Sequence, residues 1–174
     1  ALTDAGQTTA DARRQRREES PADSWHDRSA YDRCILGFNA GPPITPGGYY
    51  QNLPILQTPD HVVLVTEMVH THRVVPLNGR PALSEDIRQW SGDSRGHWEG
   101  NTLIVETTQF NPGQSFRASL RHQVYLSPDA KVVERFTRVG PKEIRYAFSV
   151  DDPDVYKQVW RGEVPLLAAE GRIY

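Results

Sequence analysis

The chain of 174 residues contains one cysteine, Cys34, and one methionine. A lone cysteine cannot form an internal disulfide, so no disulfide framework supports the fold. We expect Cys34 to be a small side chain buried in the interior, as free cysteines commonly are. The alternatives are a reactive thiolate, for which the sequence identifies no activating base, and a disulfide to a cysteine outside this sequence.

The chain also lacks a strong charge of either sign and any long apolar run. Its 20 basic and 22 acidic residues give a net charge of −2, which argues against a nucleic-acid partner. No apolar stretch approaches the roughly 18–20 residues of a membrane-spanning helix, so we expect no membrane span. Phosphate loops, dinucleotide fingerprints and nucleophile elbows are absent too, and we expect no cofactor.

The most informative segment is residues 91–110, which read Ser-Gly-Asp-Ser-Arg-Gly-His-Trp-Glu-Gly-Asn-Thr-Leu-Ile-Val-Glu-Thr-Thr-Gln-Phe. A Gly-Asn pair between two alternating runs is a strong short-range signal for a β-hairpin. Trp98 lies beside the turn, where it more often packs into an interior than stacks on a ligand. This segment therefore predicts a β-rich fold.

The first 48 residues differ in composition from the remainder. Residues 11–20 have helical propensity but almost no apolar stripe, so we expect a surface helix whose four arginines are solvated. Residues 37–48 hold four glycines and three prolines and form an irregular loop. We therefore predict a helical and irregular N-terminal arm over residues 1–48 and a β-barrel domain over residues 49–174, together forming one folding unit.

From residue 49 the apolar residues recur with period 2, and turn signals follow every 8–12 residues. This spacing is typical of an all-β protein, and we predict an antiparallel up-and-down barrel or a strongly curved sheet of about eight strands. Residues 81–90 form one helical turn or a crossover. The expected strands are residues 55–57, 62–68, 72–76, 96–100, 102–108, 119–126, 132–139, 144–149 and 158–164.

Glu67 and His70 are the candidate catalytic residues. Glu67 alternates with Val63 and Val65, which would place its carboxylate on an apolar strand face and raise its pKa, as a general acid or base needs. The alternative is a structural ion pair with an inward arginine, Arg73 or Arg135. His70 and His72 resemble a metal-binding pair, but a turn at residues 70–71 would separate the rings, and we predict no metal site.

A barrel of this strand number either fills its interior or holds one small ligand. The aromatic residues available, with a few charges, favour a mostly apolar cavity with polar anchors. We therefore predict a small apolar or aromatic molecule as the partner. The expected ligand-binding residues are Tyr50, Arg73, Trp98, Arg135 and Phe148.

Several motifs together resemble an uncharacterised family of small secreted bacterial proteins. They are Asp-Ser-Trp-x-Asp-Arg-Ser-x-Tyr-Asp-Arg-Cys at residues 23–34, Gln-Thr-Pro-Asp at 57–60, Thr-Glu-Met-Val-His at 66–70, Pro-Leu-Asn-Gly-Arg-Pro at 76–81, the hairpin above, Val-Glu-Arg-Phe-Thr-Arg at 133–138 and Asp-Pro at 152–153. The resemblance implies a periplasmic or secreted protein whose signal peptide has been removed. It also implies a further segment containing Ala-Cys-His-Glu-Gly, whose cysteine would be a partner for Cys34.

Three functional hypotheses follow. The leading one is extracytoplasmic binding of a small lipophilic or aromatic molecule in the cavity. The second is a cofactor-free hydrolase, lyase or isomerase that uses Glu67 and His70 for proton transfer. The third is a structural or assembly module of the cell envelope. Neither the ligand, nor the oligomeric state, nor whether a reaction is catalysed follows from the sequence.

Overall fold

A computed structural model describes residues 1–37, 39–49, 51–119 and 122–171. The chain begins with helix α1 (Asp4–Glu19), which is capped by the side chain of Thr3. At Gly6 the helix packs closely against the backbone of Val155, because a Cβ at this position would lie 2.4 Å from the Val155 carbonyl oxygen. The backbone N–H of Thr3 also donates to that oxygen at 2.9 Å.

The fold is β-rich and antiparallel, as predicted. The strands are β1 (Ile55–Gln57), β2 (His61–Val65), β3 (His72–Pro76), β4 (Asp93–Glu99), β5 (Thr102–Thr108), β6 (Ser115–Ser119), β7 (His122–Tyr125), β8 (Lys131–Gly140), β9 (Glu143–Asp151) and β10 (Trp160–Leu167). Glu99 pairs with Thr102, which confirms the two-residue hairpin turn at residues 100–101.

The strands form three sheets. One has the order β1-β2-β3, and one has the order β10-β9-β8-β5-β4. The third consists of β6 and β7, which pair with each other and come between β5 and β8 in the sequence. β3 lies against β4, since a Cβ on Gly96 would be 2.7 Å from Cγ1 of Val75. The described residues do not form the closed barrel that was one of the two predicted architectures.

The core lies between the three-stranded and five-stranded sheets, and strand alternation decides which side chains enter it. On β8, Val132 and Phe136 point inward, and on β9 Tyr146, Phe148 and Val150 do so. These side chains pack with apolar residues of the smaller sheet and of β5, namely Val62, Leu64, Val75, Leu103 and Val105. The apolar area removed from water here is the main stabilising contribution to the fold.

Several local expectations are wrong. β2 ends at Val65 rather than at residue 68, whereas residues 81–90 cross from β3 to β4 without a helix, which is one of the two predicted forms. The predicted strand at residues 119–126 includes the end of β6 at Ser119 and the whole of β7, and two of its residues, 120 and 121, lie outside the described ones. Cys34 is exposed rather than buried. Among the described helices, none has the length and apolar character that crossing a membrane requires.

Candidate functional site

A buried ionic network joins the two main sheets. Arg73 on β3 forms a two-pronged ion pair with Glu134 on β8, in which Nη1 donates to Oε2 at 2.6 Å and Nη2 donates to Oε1 at 2.9 Å. The hydroxyl of Tyr146 on β9 donates to the same Oε1 at 2.7 Å. It also accepts a hydrogen bond of 2.8 Å from the backbone N–H of Ile44, which ties the N-terminal loop to the network.

The network is buried, and the charge of Arg73 is matched by that of Glu134. The side chains of Arg73 and Glu134 are 5% and 0% exposed. Burial alone would lower the pKa of Arg73, but the charge and hydrogen bonds of Glu134 outweigh it and raise that pKa. Burial, followed by the negative charge of Glu134, raises the pKa of Tyr146 well above its usual range. Both carboxylate oxygens accept hydrogen bonds, so Glu134 acts here as a structural ion-pair partner rather than as an open base.

Glu134 is not among the candidate residues predicted from the sequence. A signal was present, because Glu134 lies midway between Val132 and Phe136, two apolar residues on the same strand face. A charged residue on the apolar face of a strand requires an oppositely charged partner inside the protein. The partner is Arg73, which was predicted as an inward arginine for Glu67 and which alternates with the buried Val75 on β3.

A cleft of about 580 Å³ lies beside this network. One wall comes from the N-terminal loop and β1, and the facing wall comes from the ends of β9 and β10. Its apolar lining includes Ile44, Leu53, Ile55, Ile144, Val164 and Leu166, and Tyr146 also borders it. Within the described residues, β1 pairs only with β2 and β10 only with β9. The cleft therefore lies where two unpaired strand edges face each other.

We call this cleft the apolar cleft. A few polar side chains also border it. Asn39 is 5% exposed and borders it. Its Oδ1 is buried and has no hydrogen-bond partner among the described residues. Arg138, Lys142 and Glu143 lie at the mouth. A hydrogen-bond acceptor that is buried without a donor destabilises the folded state. Asn39 is therefore a candidate to accept a hydrogen bond from a ligand.

The structure places Glu67 and His70 outside the apolar cleft, in the connection between β2 and β3. Glu67 follows the end of β2, and its Oε2 accepts hydrogen bonds from the backbone N–H and the side-chain amide of Asn52, at 3.2 and 2.8 Å. The expectation that Glu67 lies on an apolar strand face is therefore wrong. β2 ends at Val65, and Glu67 itself has helical backbone angles, with φ −60° and ψ −40°, so the extended backbone that the alternation assumed ends before Glu67.

The four predicted ligand-binding residues that the structure describes do not come together in one cavity. Arg73 belongs to the buried network, and Phe148 is a core residue that packs against Tyr146 and Trp160. Trp98 is 45% exposed beside the hairpin turn, and Arg135 points outward from β8. Tyr50 lies outside the described residues. None of the four described ones borders the apolar cleft, and their part in ligand binding stays a prediction.

The histidine pair does not form a metal site with the groups around it. His70 ends a 3₁₀ turn and His72 begins β3, and both are exposed. Across the described part of the chain, no group of three or more His, Cys, Asp and Glu side chains is arranged to hold a metal ion.

Comparisons with other proteins give no further guide to function. A scan against protein-family models finds no match, and neither a search of curated proteins nor a search of solved structures finds a similar protein. The family resemblance described above therefore stays a prediction, and the functional inference rests on the geometry of the chain itself.

Proposed function

We propose that the protein binds one small lipophilic or aromatic molecule in the apolar cleft. The observation that carries this proposal is an apolar cleft between two unpaired strand edges, with a buried and unpaired acceptor, Asn39 Oδ1, at its border. Its volume of about 580 Å³ falls within the range of about 300–1,000 Å³ typical of pockets for small molecules.

We further propose that the eight strands other than β6 and β7 act as a barrel that stays open between β1 and β10. The sheet order supports this, because consecutive strands pair along the meander and β3 lies against β4. The apolar cleft is then the opening of that barrel. A barrel of eight strands can hold one small ligand.

The ligand that fits best has an apolar body and one hydrogen-bond donor. The aliphatic walls favour the body, and a hydroxyl or amine can donate to Asn39 Oδ1. The charged residues at the mouth, Arg138, Lys142 and Glu143, would remain solvated around the exposed end. We propose a periplasmic or secreted location on the basis of the family resemblance, and no role for nucleic acid.

The test is a fluorescence titration with N-phenyl-1-naphthylamine, a neutral apolar probe. Two matched variants on β1 separate the cleft from the general surface. Ile55 borders the cleft, whereas its neighbour Leu56 is exposed and does not. We expect Ile55→Gln to raise the Kd for the probe at least about tenfold, which corresponds to about 1.4 kcal/mol, and Leu56→Gln to leave it nearly unchanged.

Leu166→Gln on β10 repeats the test from the facing wall and should weaken binding in the same way. Thermal melts establish that each variant is folded at the titration temperature. Absence of probe binding by the folded wild-type protein, or equal weakening by Ile55→Gln and Leu56→Gln, would contradict the proposal. In that case the unpaired edges of β1 and β10 would favour the assembly hypothesis, in which another strand adds to a sheet edge.

A further inference from the structure

A second cleft, of about 440 Å³, lies between α1, the segment around residues 25–33 and the rings of Trp90 and Tyr125. Its composition is opposite to that of the apolar cleft. One carboxylate, Asp27, borders it together with five arginines, which are Arg13, Arg16, Arg17, Arg28 and Arg33. We call it the arginine cleft. This local excess of positive charge occurs in a chain whose net charge is −2.

Asp27 does not balance these arginines. Its Oδ1 accepts a hydrogen bond from Arg16 Nε at 2.8 Å, and its Oδ2 accepts bonds from the backbone N–H and hydroxyl of Ser24, at 2.6 and 2.9 Å. The bond from Arg16, then those from Ser24, lower the pKa of Asp27. Within the described part of the chain, Arg13, Arg28 and Arg33 form no ion pair with a carboxylate.

Aromatic rings hold two of the arginines in place. The guanidinium carbon of Arg33 lies 5.0 Å from the centroid of Trp25 and 5.2 Å from that of Trp90. That of Arg13 lies 4.5 Å from the centroid of Tyr125. Rings attract a cation without cancelling its charge, so these guanidinium groups are ordered but still positive. The Nε of Arg33 is also buried with no hydrogen-bond partner among the described residues.

The position of α1 explains only part of this cluster. Arg16 and Arg17 lie in its last turn, where the helix dipole favours positive charge. Arg28 and Arg33 come from a separate segment, and the dipole gives no reason for them to gather at the same cleft. Like charges brought together repel one another, and an anion that binds between them removes that repulsion.

We propose that the arginine cleft binds a small oxyanion of the phosphate or sulfate type, either free or as the charged group of an ester. Guanidinium groups suit this chemistry because each presents several N–H donors in a planar fork that matches the oxygens of a tetrahedral anion. The site is separate from the apolar cleft, and no residue borders both. A failure of the proposed lipophilic site would therefore leave this proposal unaffected.

The test is isothermal titration calorimetry of the whole chain with inorganic phosphate, at a pH above its second pKa so that it carries two negative charges, and, in parallel, with inorganic sulfate. The variant Arg17→Gln/Arg28→Gln removes two charges from the cleft. Its matched control, Arg14→Gln/Arg161→Gln, removes two charges elsewhere, since Arg14 pairs with Asp11 on α1 and Arg161 is exposed on β10. We expect one-to-one binding by the wild type, a Kd at least about tenfold higher for the cleft variant, and less than about a twofold change for the control.

A comparison of the two anions distinguishes a phosphate ligand from a sulfate ester. Because the two ions carry the same charge and are both tetrahedral, tighter binding of phosphate indicates a phosphate ligand, and tighter binding of sulfate indicates a sulfate ester. The single variant Arg28→Gln, at an exposed position, provides a weaker but folded test if the double variant does not fold. The proposal is overturned if the wild type binds neither anion, or if the control and the cleft variant lose affinity equally, because then only overall charge matters.

Discussion

The buried network and the arginine cleft both contain charged side chains but differ in the balance of their charges. In the network, the charge of Arg73 is matched by Glu134 inside the core, and Tyr146 completes the hydrogen bonds. The arginine cleft is bordered by five arginines and by one carboxylate, that of Asp27. We infer that an arginine supports the fold where a carboxylate balances its charge in the core, and is available to an anion where positive charge is in excess.

The largest expected effect is on the matched charge. Glu134→Gln removes the carboxylate and leaves the charge of Arg73 buried without a counterion. We expect the free energy of unfolding to fall by about 3–5 kcal/mol, measured by urea denaturation. The matched control is Glu163→Gln, because Glu163 pairs with Arg145 at 3.8 Å on the surface and such pairs contribute about 0.2–1 kcal/mol. Similar losses in both variants would show that the buried pair has no special role.

The second prediction concerns pH. Because burial and Glu134 raise the pKa of Tyr146, the folded protein keeps this phenol protonated where an unfolded tyrosine ionises, above about pH 10. The higher pKa in the folded state makes a contribution to the free energy of unfolding that is fully present below about pH 10 and is lost as the pH rises further. We expect Tyr146 to contribute a decline of up to about 1.4 kcal/mol per pH unit in that range.

Urea denaturation at a series of alkaline pH values measures this slope, and Tyr146→Phe should reduce it. The slope does not vanish in the variant, since burial also raises the pKa of Tyr156. An identical slope in the wild type and in Tyr146→Phe would mean that the hydroxyl of Tyr146 ionises as readily when folded as when unfolded.

Strand positions were predictable from the sequence because they depend on local patterns. Period-2 alternation and turn residues located most strands, and the Gly-Asn pair located the hairpin. The network was not predictable in this way. Arg73 and Glu134 are 61 residues apart, and Ile44 and Tyr146 are 102 residues apart. Alternation indicates which face a side chain occupies, but it does not indicate which distant strand lies opposite.

The failed expectation for Glu67 has a different cause. The alternation through Val63 and Val65 continues in the sequence beyond the point where the strand ends. The strand ends at Val65, and Glu67 has helical backbone angles. Val69 and His70 then have positive φ values, and no glycine marks the turn. The two clefts escaped prediction because each gathers side chains from separate segments of the chain.

The third prediction contrasts the arginine cleft with the buried pair of Arg73 and Glu134. Arg17→Gln/Arg28→Gln removes charge from a cleft where positive groups already exceed negative ones. We expect the free energy of unfolding to change by less than about 0.5 kcal/mol, as for most surface substitutions, measured by urea denaturation at low salt. A loss of several kcal/mol would show that these arginines support the fold in the way that Arg73 does.

The smallest effect is expected at Glu67. Glu67→Gln keeps an oxygen that can accept from the backbone N–H of Asn52, and Glu67 lies outside the apolar cleft. We expect the Kd for N-phenyl-1-naphthylamine to change less than about twofold and stability to change by less than about 1 kcal/mol. A tenfold increase in that Kd, in a variant of unchanged stability, would show that Glu67 belongs to the ligand site. This result would contradict the assignment of the site to the apolar cleft.

Photolabelling locates a bound apolar molecule without any substitution, and it therefore tests whether the apolar cleft is the ligand site. The wild-type protein is irradiated with a neutral phenyl-diazirine, and the adducts are mapped by proteolysis and mass spectrometry. We expect adducts concentrated on residues 51–53, 55 and 164–168, which border the apolar cleft from its two sides, and their loss when N-phenyl-1-naphthylamine is added in excess. Adducts concentrated instead around Trp98, or spread over the surface and unaffected by the competitor, would contradict binding in the apolar cleft.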